Sequence, residues 1–137
     1  GAVSLGLAYD SQTLSVPDYF VIANEGNVPI DLEVNATRMF TSATECTSMP
    51  CSNYRAKAGP DSSTPYPTCS SPDNTRISYF NIPGSISGLL INDLNYAVDN
   101  NTARVFVKIN LPLDEPAGSK NSVVTFWAKA NSTYACD

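Results

Sequence analysis

The groups that could do chemistry in this 137-residue chain are thirteen carboxylates, four cysteines and many hydroxyls, and no histidine accompanies them. A nucleophilic serine or cysteine needs a neighbouring base, which is most often histidine. The chain also contains no Ser-x-x-Lys or Gly-x-Ser-x-Gly motif and no glycine-rich phosphate-binding loop. We therefore expect that the protein is not an enzyme and binds no cofactor.

Carboxylates can still act in pairs, or as ligands of calcium, wherever the fold brings them together. Asp114 and Glu115 are adjacent, but they lie in a proline-flanked segment where solvation of a turn is the simpler interpretation. Further oxygen ligands occur without the spacing of an EF-hand loop: Asp93, Asp99, Asn100 and Asn101. We interpret these as turn residues as well, and we expect no metal site.

The four cysteines are Cys46, Cys51, Cys69 and Cys136. An even number in a small chain is typical of disulfides formed in an oxidising compartment. A zinc site is the alternative, but no histidine assists, and Cys69 and Cys136 have no close partner in sequence. Two disulfides are therefore expected, one closing a loop and one tying the C-terminus through Cys136, with the three possible connectivities left open.

Three N-x-Ser/Thr sequons begin at Asn35, Asn100 and Asn131 and predict sites of glycosylation. The first residues, Gly-Ala-Val-Ser, are typical of a mature end after removal of a signal peptide, and an artificial start is the alternative. No run of about 18 apolar residues is present, so we expect no membrane-spanning helix. Sequons, cysteines and N-terminus together predict an extracellular, cell-surface location.

The charge pattern argues against nucleic acid and an anionic membrane surface as partners. Charged residues make up 15% of the chain, and the net charge is −5. Of the eight basic residues, only Arg55 and Lys57 are close in sequence. The others are scattered: Arg38, Arg76, Arg104, Lys108, Lys120 and Lys129. Nucleic acid binding needs clustered bases, so we expect neither nucleic acid nor an anionic membrane surface as a partner.

The elements that would position these groups are β-strands. Residues 28–35 alternate between apolar and polar side chains with a period of two, and residues 19–23 form a short aromatic and β-branched run. The glycine and asparagines of residues 24–27 suit a tight turn, so the two runs predict a hairpin. Residues 89–94 fit either a strand or a single helical turn.

The last third of the chain shows the clearest strand pattern. Val105, Val107, Ile109 and Leu111 share one face, and residues 123–130 alternate in the same way after a proline-rich turn. The alternation, the turns and the lack of a helical period predict an all-β fold. We expect an antiparallel β-sandwich of jelly-roll or Ig-like topology.

Residues 41–75 differ from the rest, since they hold three cysteines and five prolines with little periodicity. We expect a long loop insertion stapled by a disulfide, because a loop of this length usually needs a function or a staple. The domain prediction is therefore a single sandwich over residues 11–137 that contains this insertion. A distinct segment, residues 1–10, precedes it.

The segment at residues 1–10 has a two-sided pattern. Its large residues alternate with small ones, and no charge occurs before residue 10. The large residues are Val3, Leu5, Leu7 and Tyr9. One interpretation is an ordinary first strand of the same domain, which the pattern alone favours. The other is a donor strand that completes the sheet of a neighbouring subunit through main-chain hydrogen bonds and alternate side chains.

Two stretches resemble a known family. Residues 19–39, with Ile-Ala-Asn-Glu-Gly-Asn-Val-Pro-Ile-Asp-Leu-Glu-Val, resemble a hairpin of secreted archaeal β-sandwich proteins and of the TasA-like biofilm-fibre family. Residues 105–130, with Ile-Asn-Leu-Pro-Leu-Asp-Glu-Pro-Ala-Gly-Ser-Lys and Val-Val-Thr-Phe-Trp-Ala, resemble the closing hairpin of such domains. The resemblance implies a secreted subunit polymerised by donor-strand complementation, with the donor in the alternating N-terminal segment.

These observations predict a structural subunit of an extracellular filament or pilus that serves adhesion or biofilm formation. Its partners would be identical subunits joined head to tail. The alternative is a surface domain that does not polymerise and binds glycans or a partner cell, for example through residues 41–75. Trp127 shares a strand face with Lys129 and is the aromatic residue that we expect to be exposed.

Overall fold

The computed structural model describes residues 8–10, 19–60, 68–69 and 74–131. This part of the chain contains eight β-strands and no helix, and hence no helix long and apolar enough to cross a membrane. In chain order the strands are β1 (Ala8–Asp10), β2 (Phe20–Ala23), β3 (Ile30–Ala36), β4 (Tyr54–Pro60), β5 (Phe80–Asn81), β6 (Gly88–Leu94), β7 (Thr102–Asn110) and β8 (Val124–Ala130).

The strands form two antiparallel sheets. In sheet A, β1 and β2 lie end to end along one edge of β7, and β4 and then β5 follow on its other side. In sheet B the order is β6-β3-β8, so β3 is the central strand. The prediction of an all-β antiparallel sandwich is confirmed. Residues 89–94, which fitted two interpretations, belong to the strand β6.

The core lies between the inner faces of the two sheets. On β7, Val105, Val107 and Ile109 are all buried, as the alternation predicts. On β3, Leu32 and Val34 face them from the other sheet and are also buried. Each such aliphatic side chain contributes about 1.5–3 kcal/mol when it leaves water, so these strand faces hold the sandwich together.

The predicted hairpin of residues 19–35 is wrong, because β2 pairs with β7 in sheet A whereas β3 lies in sheet B. Asn24, at the end of β2, explains the crossing. Its amide Nδ2 donates to the carbonyl oxygens of Val28 and Leu94 at 2.9 and 3.1 Å, and its N–H donates to the carbonyl of Asn101. A buried amide needs such partners, and here Leu94 belongs to sheet B whereas Asn101 directly precedes β7 of sheet A.

The predicted closing hairpin is likewise an inter-sheet connection. Strand β7 belongs to sheet A and β8 to sheet B, and residues 111–123 link them around the end of the sandwich. The inward residues of β7 are buried as predicted, whereas β8 is half-buried at its start and exposed from Trp127 to Ala130. The two strands are not neighbours. A strand's periodicity specifies which face is buried and leaves its pairing partner open.

The stapled loop is present and is shorter than predicted, because β4 lies inside residues 41–75. The inward residues of β4 are Tyr54, Ala56 and Ala58, and the two alanines are each 1% exposed. Such small side chains give a weak hydrophobic pattern, which is why the sequence indicated a loop. Ahead of β4, Cys46 and Cys51 form a disulfide with a Cα–Cα distance of 5.4 Å. Cys69 is also disulfide-bonded, and Cys136 lies outside the described residues.

Candidate functional site

The N-terminal strand of the chain is short and lies at a sheet edge. Of the four predicted donor residues, only Tyr9 falls among the described residues, whereas Val3, Leu5 and Leu7 lie outside them. Tyr9 stands opposite Ile109 of β7, which is buried, so its register position is on the core side of sheet A. Ala8 stands opposite Asn110, the last residue of β7. Strand β7 therefore ends where the pairing with β1 ends.

Strand β8 has an open edge. It pairs with β3 over seven residues, from Ile30 opposite Ala130 to Ala36 opposite Val124. In the described part of the chain no other strand pairs with it. As far as the described residues go, its outer edge therefore presents backbone N–H and C=O groups, which are a template for pairing with another strand.

The core-facing side of β8 is also open. Phe126, Ala128 and Ala130 stand opposite the inward residues of β3, yet Ala128 and Ala130 are exposed. Their neighbour on β3, Leu32, is only 3% exposed. The sandwich thus lacks cover at this corner, where two alanines leave room for larger side chains from outside.

An aromatic pair closes the core next to this open corner. The ring of Phe20 on β2 meets the ring of Phe126 edge to face, with centroids 5.3 Å apart. Such pairs contribute about 0.5–1.5 kcal/mol beyond their buried area. Phe20 remains 37% exposed, so the apolar surface continues from this pair to the open side of β8.

The outer face of β8 is occupied by contacts within the chain. Trp127 is 52% exposed, which confirms the expectation for this residue, and its indole N–H donates to Asn35 Oδ1 at 2.8 Å. Lys129 forms an ion pair with Glu33. The hydrogen bonds from Lys129 and then Ser87 hold the pKa of the Glu33 carboxyl below its usual 4.5. These contacts leave the edge and the inner side of β8 as its available surfaces.

The three sequon asparagines lie in different surroundings. Asn131 Nδ2 donates two hydrogen bonds, to Asp31 Oδ1 and to Asp93 Oδ1. Asn35 Nδ2 donates one, to the carbonyl of Gly84 at 3.0 Å. Among the described residues, the side chain of Asn100 has no hydrogen-bond partner, and this residue lies in the turn before β7.

If the sequons are used, glycosylation is expected mainly at Asn100. A glycosylated amide keeps one N–H, so a sugar on Asn131 costs one of its two hydrogen bonds, whereas a sugar on Asn100 costs none. Mass spectrometry of tryptic peptides measures this directly, since Lys and Arg cleavage places the three sequons on separate peptides. A sugar mass on the Asn131 peptide with an unmodified Asn100 would contradict the expectation.

Asp114 and Glu115 are structural anchors, and the prediction that they solvate a turn is wrong for Glu115, which is 5% exposed. Glu115 accepts the N–H of Thr41 at 3.0 Å and pairs with Lys120 at 2.7 Å. Asp114 accepts the hydroxyl of Ser42 at 2.6 Å. The two carboxylates therefore fasten the disulfide-closed loop to the connection between β7 and β8.

Glu115 makes the stability of this attachment depend on pH. Burial raises the pKa of the carboxyl, but the contacts with Lys120 and Thr41 outweigh burial, so the pKa lies below 4.5. A lowered folded-state pKa contributes stability above pH 4.5 that is lost as the pH falls through the folded value. Glu115→Gln is expected to lower the free energy of unfolding by about 2 kcal/mol at neutral pH.

Urea denaturation at several pH values checks this effect. The difference between wild type and Glu115→Gln should shrink as the pH falls below 4.5. Glu25→Gln, at an exposed position in the turn after β2, is the matched control and should unfold like wild type. Equal unfolding free energies for Glu115→Gln and wild type at neutral pH would show that the anchor carries no stability.

The predicted turn carboxylate Asp93 is in fact fully buried in β6, so the turn interpretation is wrong for this residue. It accepts hydrogen bonds from the amides of Asn92, at 3.0 Å, and Asn131. Its own N–H donates to Asp31 Oδ1. The described residues contain no group of three or more His, Cys, Asp or Glu side chains that could hold a metal ion. The amide donors instead satisfy these carboxylates.

Two antiparallel sheets, a disulfide-closed loop and an open edge strand define an all-β sandwich domain. No protein-family model, curated protein or solved structure matches the chain. The argument about function therefore rests on the residues and surfaces described above.

Proposed function

We propose that this protein is a structural, non-catalytic subunit of an extracellular filament at the cell surface, serving adhesion or biofilm formation. In this filament, residues 3–9 of one subunit, here called the donor segment, add as a strand to β8 of the next. The open edge of β8, together with its exposed core-facing alanines, is the observation that carries the proposal. The archaeal β-sandwich and TasA-like resemblance of the sequence agrees with it.

The donor segment matches β8 of the next subunit, here called the seat, in length and in pattern. It has seven residues, as β8 does, and its large residues occur at every second position. Its large side would cover Phe126, Ala128 and Ala130, while the small side faces outward. Backbone hydrogen bonds then provide affinity, and the large side chains filling the corner provide specificity.

Burial and pairing favour a move of the donor segment from β7 of its own chain to β8 of the next subunit. Within its own chain, β7 ends opposite Ala8, so it pairs with β1 over only three residues. The seat on β8 offers seven. Burial of three aliphatic side chains contributes on the order of 5–9 kcal/mol. Because the donor segment has no charge, no ion has to be desolvated on binding, a cost of several kcal/mol per ion.

The geometry of such contacts leads to an open polymer. Donor and seat are different surfaces of the same chain, so each subunit that binds still offers a seat to the next. Head-to-tail contacts of this kind form fibres unless the rotation between subunits closes a ring. Electron microscopy of the native material in negative stain tests this, with thin unbranched fibres as the expected result. Isolated particles or closed rings at high protein concentration would contradict it.

A further inference from the structure

The outer face of sheet A gathers half of the basic residues of an acidic protein. Arg55 and Lys57 point outward from β4, and Arg104 and Lys108 point outward from β7. The register places Arg55 directly opposite Lys108, and Arg104 opposite Gly59. These four residues are here called the cationic face. Arg55 and Lys57 are close in sequence, whereas Arg104 and Lys108 lie about 50 residues further along and were counted among the scattered bases. Strand pairing brings them together.

Aromatic rings contact three of these four cations. Lys57 Nζ lies 4.7 Å from the ring centre of Tyr79, and Lys108 Nζ lies 5.5 Å from the same ring. The guanidinium of Arg104 lies 4.7 Å from the ring of Tyr19. Cation–π contacts of this kind are worth about 0.5–1 kcal/mol at exposed sites. These contacts therefore favour one arrangement of the Lys57, Lys108 and Arg104 side chains, which would otherwise be flexible.

Beneath the cationic face, Gly59 lets the ring of Phe106 lie close to β4. A Cβ atom at this position would lie 2.8 Å from the ring of Phe106, so only glycine lets the ring rest on β4. Phe106 is 7% exposed and packs against Tyr19, with ring centroids 5.8 Å apart. The Phe106 ring thus lies beneath the cations and has little exposed surface of its own.

A polar groove of about 370 Å³ lies at one end of the cationic face. Arg55 lines it, and so do Glu45, Ser52, Asn53 and Asn110. Arg55 Nη2 donates to Asn110 Oδ1 at 3.2 Å, but Arg55 Nε is buried without a hydrogen-bond partner. Glu45 Oε2 accepts the N–H of Leu113. Arg55 thus brings a positive charge to this groove, which it shares with the Glu45 carboxylate.

We propose that the cationic face binds an acidic polysaccharide, with one carboxylate at Arg55 and others along the row towards Arg104. A carboxylate that contacts the guanidinium of Arg55 would form a charge-assisted hydrogen bond, which is about twice as strong as a neutral one. Outward residues of a strand repeat every 7 Å or so, so the cations present separate charges over about 13 Å. Such spacing fits a chain with one carboxylate on successive sugar units.

A nucleic acid fits this face less well. Single-stranded binding surfaces use free aromatic rings on which bases stack. Here Phe106 is buried, and the Tyr79 ring is in contact with two ammonium groups. A duplex also carries about one charge per 1.7 Å, roughly twice the density of four cations spread over about 13 Å. We therefore assign the partner as a polymer with sparser charge.

Titration of the full-length protein with polygalacturonate at low ionic strength tests the proposal. Wild type is expected to bind, and Lys108→Gln and Arg55→Gln are each expected to weaken binding about tenfold, since a hydrogen bond to a charged group is lost. Lys129→Gln makes the same change of charge on sheet B and should bind like wild type. Arg55→Lys keeps the charge but loses the second donor, and it should also bind more weakly.

Several results would overturn the proposal. These are the absence of binding at low salt, equal weakening by Lys129→Gln, and equal binding of neutral dextran. Tighter binding of single-stranded poly-dT would assign the face to nucleic acid instead. Thermal unfolding of each variant shows that it is folded, and Lys57→Gln replaces any variant that is not. Ala128→Arg tests filament assembly on sheet B and leaves the cationic face on sheet A unchanged, so the two proposals stand or fall separately.

Discussion

Removal of residues 1–9 is expected, on the filament proposal, to leave a soluble, folded monomer that forms no fibres. The truncation removes the donor segment and leaves the seat on β8 unchanged. The fold should survive, because β1 contributes only three residues at a sheet edge and β2 still covers the other half of that edge of β7. Negative-stain microscopy and sedimentation measure the loss of fibres, and a cooperative thermal transition shows that the domain remains folded.

Point substitutions sharpen this test. Leu5→Asp and Leu7→Asp should each stop assembly, since an unpaired charge buried in the seat costs several kcal/mol. Val98→Asp is the matched control, because Val98 is 88% exposed in the turn after β6. It should assemble like wild type. Fibres formed by the truncated chain would show that the donor segment is not what joins the subunits.

The sequence predicted the buried faces of the strands better than their partners. The alternation on β7 identified Val105, Val107 and Ile109 as core residues, and they are buried. The pairing of β2 with β3 was wrong, because it depends on contacts such as that of Asn24 with Leu94, 70 residues away. Alternation is a local property, whereas pairing is decided by long-range contacts and by satisfaction of buried polar groups.

The surfaces that matter most for function follow from pairing and were therefore missed. Strand β4 has alanines on its inner face and was interpreted as loop, so the approach of Arg55 to Lys108 could not be foreseen. In the same way, no pattern within residues 124–130 shows that β8 lies at a sheet edge. The N-terminal alternation could be identified from sequence, because it is a property of consecutive residues. Its seat could not.

Ala128→Arg is expected to abolish assembly from the opposite side of the same contact. Ala128 is exposed in the isolated chain, so the domain should tolerate a long side chain there. In the filament this arginine would occupy the place of a donor side chain, and its guanidinium would lose its hydration. The cost of several kcal/mol corresponds to a loss of affinity of more than a hundredfold. Trp127→Arg places the same side chain on the outer face of β8 and should still form fibres, as electron microscopy would show.

A mixture of the two defective proteins gives the most specific result. The chain without residues 1–9 keeps its seat, and Ala128→Arg keeps its donor segment, so each supplies what the other lacks. Together they are expected to form a complex of one copy of each that cannot grow, because neither end of the pair has a functional partner. Native mass spectrometry and sedimentation velocity measure the composition and size of this complex. If the mixture remains monomeric while wild type forms fibres, the donor segment binds somewhere other than β8.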